Sequence, residues 1–296
     1  MSYLLFLGAY GAVVGIVFAV SAGFFFRNRG LARLNEFTAL VGACEVGGAI
    51  LALALMARLV DRRPLSTIGF PLSRAVQEFA AGVLIGALIF LAAVALLVFL
   101  GFEEFVPHAG TLSAAALLVS VPNLIFAAAS EEILTRGYAF QELWRNFSAW
   151  VALIVTSMLF LLMHSQVFAG PGRLILATNI FAGGLLFAFA YMRSGALWLP
   201  IGIHFAWNFM QGPVLGIPVT GIKMDAGWHP LRAGGPVVWT GGTLGVEGGY
   251  ACLFGLALGA AIIFFVFRRD AGGRDALCHP LLPRRGRRRW LEPAGG

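Results

Sequence analysis

Long apolar runs alternate with short polar breaks from one end of the chain to the other. Eight runs stand out, over residues 3–26, 37–60, 78–102, 112–143, 147–165, 174–192, 195–213 and 247–267. Most are close to the ~20 residues with which an α-helix crosses a ~30 Å hydrocarbon core. The runs are continuous rather than alternating at every second position, so a barrel is excluded as the spanning element. The pattern predicts an all-α polytopic membrane protein of about eight transmembrane helices in one bundle. The breaks divide it into a first transmembrane helix and loop (1–36), a helical core (37–213), a Gly/Pro-rich extramembrane loop (214–246), a last transmembrane helix (247–267) and a basic, disordered cytoplasmic tail (268–296). The polar stretch "DRRPLSTIGFPLSR", between the second and third runs, is expected at the membrane interface, and no internal repeat is evident.

Composition strengthens this picture. The chain is 59% hydrophobic and only 12% charged, about half the charge of an ordinary soluble domain. Its net charge of +7 comes mostly from arginines near helix ends and in the tail. Such a balance suits membrane orientation and contact with anionic lipid. No nucleic-acid-binding module accompanies the charges, so no nucleic-acid partner is expected. Arg58, Arg62, Arg63, Arg74 and the arginines of the tail fall on one side of the bundle. That side is expected to be cytoplasmic and to carry both termini, in a plasma (inner) membrane. Arg27, Arg29 and Arg33 argue the other way. The first run lacks a basic leader and is too long for a signal-peptide core, so it reads as a retained span. Cys44, Cys252 and Cys278 form no CxxC pair, which leaves the redox compartment open. Oligomeric state has no signature.

Ionisable residues inside spans are functional candidates by default, since each charge at mid-depth costs about 2.5–3.5 kcal/mol. "SEEILTRGYAF" places Glu131, Glu132 and Arg136 in one apolar segment. Glu132 and Arg136 share a helical face in the favourable acid-before-base order. Glu131 lies about 100° around the axis and is free to point elsewhere. "FLLMH" puts Phe160 and His164 on one face, and "HFAWN" does the same for His204 and Asn208. Taken singly, these groups read equally as snorkelling helix ends, a hydrogen-bonded histidine or interhelical glue. Together they supply a carboxylate base, imidazoles that orient water or bind metal, and an amide donor for an oxyanion, the parts of a hydrolytic site. A straight-rise count at ~1.5 Å per residue sets His204, Glu131, Asn208 and His164 at ~14, ~18, ~20 and ~26 Å of depth. This requires the helix of Glu131 to continue to about Leu143, with Pro122 marking a kink or break. Asn179 falls at a similar level, as support or as a lone interhelical contact. Glu45 is a lone acid, and Asp225 and His229 sit in the Gly/Pro-rich loop.

The three motifs EExxxR, FxxxH and HxxxN, in this order, resemble those of the CPBP family of intramembrane metalloproteases, the CAAX-processing, bacteriocin-processing and Abi-like group. The resemblance covers residues 40–210 and extends to "RGYAFQEL" and "STIGF". It implies an intramembrane endopeptidase acting on a hydrophobic or lipidated, CAAX-like peptide. Catalytic roles then fall to Glu131, His164, His204 and Asn208, with Glu132, Arg136, Phe160 and Asn179 in support. A divalent metal such as zinc would sit on Glu131, His164 and His204, but two histidines and one or two glutamates are no decisive zinc signature, and a metal-free glutamate mechanism stays open. The alternative is a non-catalytic membrane scaffold or bacteriocin-immunity-type binding protein. A transporter would show paired repeats, and none is evident.

Overall fold

The computed structural model describes residues 69–106, 110–164, 172–224 and 226–267, with isolated positions 8, 12 and 47. The first two expected spans, Glu45, Asp225 and the basic tail lie outside the described residues. A single turn at Leu72–Arg74 leads into α1, Ala75–Phe99. Then come α2 (Ala114–Glu132), a π-helical stretch (Ile133–Ala139) and α3 (Phe140–Asn146), which run on without a break. The next helices are α4 (Ala149–Met163), α5 (Arg173–Ser194), α6 (Trp198–Phe209), a short α7 (Val237–Thr240) and α8 (Tyr250–Val266).

Among the described residues, three stretches are long and apolar enough to cross a membrane: Leu72–Phe99, Ala114–Trp144 and Arg173–Ser194. Helices α4 and α8 are equally apolar but shorter. Rows of large hydrophobic side chains stay exposed on the outside, among them Leu84, Trp150, Leu174 and Phe265. Such patches suit lipid rather than water. Serines start two of the helices: Ser113 accepts from Ala116 N at the head of α2, and Ser148 from Val151 N at the head of α4.

Two sequence expectations need correction. The helix is not broken at Pro122, which lies inside α2; the hydrogen-bonding pattern changes eleven or more residues later, in the π-helical stretch. The fold is also not purely helical. Strand β1 (Glu103–Phe105), just after α1, pairs antiparallel with β2 (Leu231–Ala233), inside the segment expected to be irregular. A bridge between Gly110 and Trp228 extends the contact. Glu103, Glu104 and Phe105 thus meet Ala233, Arg232 and Leu231. The alternation of spans places these two loops on one face of the bundle. On the other face, Leu197 N donates to Gly69 O at 2.8 Å and Trp198 Nε1 to Pro71 O at 3.2 Å.

Among the described helices, α1 and α6 cross most closely. A Cβ on Gly82 would collide with the Leu199 carbonyl, and one on Gly202 with the Phe79 carbonyl. Glycine at both positions lets the backbones approach, as in membrane helix pairs generally. The crossing fixes α6 two residues before His204, so the packing that holds the bundle also sets a candidate site residue.

Candidate active site

The charged turn sits at the junction of α2 with the π-helical stretch, a local widening that recurs at functional sites. Arg136 is fully buried, which rules out a helix-end charge that snorkels to the interface. Its Nη1 donates to Glu132 Oε1 at 3.1 Å and to Thr135 Oγ1 at 2.7 Å, and its Nη2 donates to the Gly184 carbonyl of α5 at 3.0 Å. The guanidinium carbon lies 4.5 Å from the centre of the Phe160 ring. A carboxylate on one side and an aromatic face on the other replace the water this cation has lost.

Glu132 is fully buried as well and has a second donor. His204 Nδ1 lies 3.2 Å from the same Oε1. A carboxylate accepts, so this contact assigns the proton to Nδ1 and turns Nε2 the other way. The His204 ring stacks on Phe187, with centroids 4.8 Å apart and planes 18° apart. Carboxylate and ring together hold the imidazole in one orientation.

His164 closes α4 just past its last residue. Its Nδ1 lies 2.8 Å from the Phe160 carbonyl, which again assigns the proton to Nδ1 and leaves Nε2 pointing away. This explains the FxxxH spacing: the residue four positions back provides both the carbonyl and the ring beside the imidazole, with ring centroids 4.8 Å apart. The side chain therefore folds back along its own helix rather than extending past its end.

Glu131 faces what these residues leave open. Its Oε2 is 3.9 Å from His164 Nε2 and 4.0 Å from His204 Nε2. That oxygen is buried and has no hydrogen-bond partner among the described residues. All three groups line a cavity of about 320 Å³, together with Asn208. The separations exceed one hydrogen bond but match two bonds of ~2.8 Å meeting on a shared water at an angle near 90°. A carboxylate and two imidazole nitrogens aimed at one point can bind, orient and deprotonate such a water.

Two imidazoles and a carboxylate are plausible zinc donors in kind. Tetrahedral zinc with bonds of ~2.0–2.1 Å would draw its ligand atoms to within about 3.4 Å of one another, and the carboxylate oxygen stands farther than that from both nitrogens. Among the described residues, no group of three or more His, Cys, Asp or Glu side chains is placed to hold a metal ion. The residues as arranged do not fit the ion.

Asn179 lines the cavity, but its amide nitrogen is committed elsewhere: Nδ2 donates to the Glu247 carbonyl at 2.7 Å and the Gly249 carbonyl at 2.8 Å, tying α5 to the turn before α8. His229 does not line the cavity. Several contributors had no sequence signal. Glu247, a lone acid in a glycine-rich stretch, lines the cavity and accepts from Thr220 N at 2.6 Å and Thr220 Oγ1 at 3.1 Å. Thr135 braces Arg136. Phe187 was detectable, since Asn179, Gly183 and Phe187 recur at every fourth position and all face the cavity.

Comparison with known proteins points the same way. Residues 113–210 match the family model described as type II CAAX prenyl endopeptidase Rce1-like. The resemblance to CPBP proteases therefore holds over the segment from α2 through α6 that carries all three motifs. A curated relative, an uncharacterized 24.3 kDa protein of Escherichia coli, is 30% identical over 103 residues, 34% of this chain. The matched region spans 43% of that relative's length. No solved structure matches the chain.

Proposed function

We propose that the chain is an integral membrane endopeptidase that hydrolyses a peptide bond of a hydrophobic or lipidated, CAAX-like substrate, with water activated by Glu131. The observation that carries this reading is the approach of Glu131 Oε2 to the Nε2 atoms of His164 and His204, 3.9 and 4.0 Å away, within one cavity. The orientation expected from the arginines, with both termini cytoplasmic in a plasma membrane, belongs to the same proposal.

In this mechanism His164 Nε2 accepts a hydrogen bond from the water, and Glu131 takes its proton as the oxygen attacks the scissile carbonyl carbon. The carbonyl oxygen becomes an oxyanion. Asn208 donates to it from its amide, and His204 donates from Nε2 when its ring carries both protons. The C–N bond then breaks, and Glu131 returns the proton to the leaving amine. Glu132 and Arg136 hold His204 in place and do not touch substrate.

The test uses purified protein in micelles with fluorogenic peptides, lipidated and unlipidated. Glu131→Gln should lower turnover about 10²–10⁴-fold while leaving the melting temperature within a few degrees of wild type. A chelator should leave wild-type turnover unchanged. Equal cleavage by wild type and Glu131→Gln would sink the assignment and leave a binding protein with a similar pocket.

A further inference from the structure

Two adjacent glycines on α5 are small for different reasons. At Gly184, a Cβ would lie 3.0 Å from Ser157 of α4 and 3.2 Å from Arg136 Nη2, so neighbours demand a glycine. Gly183 is buried too, yet a Cβ built there would meet no atom within 4 Å. Glycine inside a helix is less favourable than alanine, and no packing contact requires it at 183. What the position faces is the cavity.

We infer that Gly183 sets the size of the subsite that receives a bulky apolar side chain next to the scissile bond. This rests on the protease reading above. Gly183 lies one helical turn from Phe187, the ring stacked on His204, so the space it leaves open adjoins the imidazole that faces Glu131. The cavity's other walls include Ile180, Leu186, Ile203, Trp207 and Leu256. Against these walls a hydrocarbon or aromatic group buries apolar surface without stranding a polar atom, while Asn179, one turn before Gly183, is a polar part of the lining. Each methylene added at 183 removes room from the substrate, not from a neighbouring helix.

The experiment pairs Gly183→Ala and Gly183→Leu with peptides that carry alanine, valine, leucine or phenylalanine on either side of the cleaved bond. The ratio of kcat/KM for the phenylalanine peptide to that for the alanine peptide should fall about tenfold or more in Gly183→Leu, and less in Gly183→Ala. An unchanged ratio in both variants overturns the inference, as does an equal loss for every peptide. The same peptides with the scissile amide replaced by a reduced CH2–NH bond give a binding readout by calorimetry. If wild type cleaves none of the series, the protease reading fails, and the subsite is decided by binding alone. A tenfold loss of affinity in Gly183→Leu confined to the larger side chains supports it, and equal affinities overturn it. Should the leucine variant not fold, Gly183→Val takes its place.

Discussion

The helices that wall the cavity and the segment 215–249 that roofs it hold their polar groups in different ways. In the wall, two pairs lie only four residues apart, Glu132 with Arg136 and Phe160 with His164, alongside the long-range contact of His204 with Glu132. In the roof they are far apart in sequence. Glu247 grips Thr220 across twenty-seven residues, and Asn179 reaches from α5 to the backbone on either side of the turn before α8. Thr220 is held with φ +50°, a conformation a β-branched residue seldom adopts. Helical partners arise from local geometry. Roof partners exist only once the whole chain is folded.

The largest effect should come from the wall. Glu132→Ala strands the Arg136 guanidinium in a fully buried setting and should destabilise by about 3–5 kcal/mol, measured by thermal unfolding in detergent. Replacing both partners with Glu132→Leu and Arg136→Met should recover most of that stability, since a buried pair exchanged for apolar groups is often neutral. Turnover should stay low in the double variant, because His204 has lost its carboxylate. Recovery of both would show that Glu132 serves packing alone. In the roof, Glu247→Ala removes the acceptor of two hydrogen bonds and should cost about 1.5–3 kcal/mol. Its kinetic signature should be a KM raised more than kcat is lowered, since its hydrogen bonds hold Thr220 in the lining of the cavity. A kcat defect at unchanged KM would move Glu247 from roof to reaction. Least should come from the exposed Arg232–Glu104 pair, 2.8 Å apart at the β1–β2 ribbon. Arg232→Ala should shift stability by about 0.5 kcal/mol or less.

The same contrast explains how much the sequence revealed. Apolar run length located α1, the α2–α3 element, α4, α5, α6 and α8, with ends displaced by a few residues. The four-residue spacings singled out Glu132 with Arg136 and Phe160 with His164, because period 3.6 turns sequence separation into spatial contact. The pairing of His204 with Glu132 was not legible: it spans seventy-two residues and depends on where α6 crosses α1 at Gly82 and Gly202. Nor was the roof, where a Gly/Pro-rich stretch folds into a β-ribbon and short turns whose register is set by α1 and α8. Thr220 and Glu247 carry no periodicity that would have joined them.

The widened turn after Glu132 bears on how this arrangement can change by inheritance. Upstream, the two acids must face the histidines. Downstream, Gln141 Nε2 donates to the Tyr191 hydroxyl at 2.8 Å, and the Phe140 ring packs edge-on against the same tyrosine. Dropping one codon anywhere between 133 and 139 would rotate α3 by about 100° relative to the acids. One uninterrupted rod could then serve the carboxylates or Tyr191, but not both. The surplus residue acts as a phase shifter, and a shortened allele would forfeit one of the two engagements even with every charged side chain still encoded.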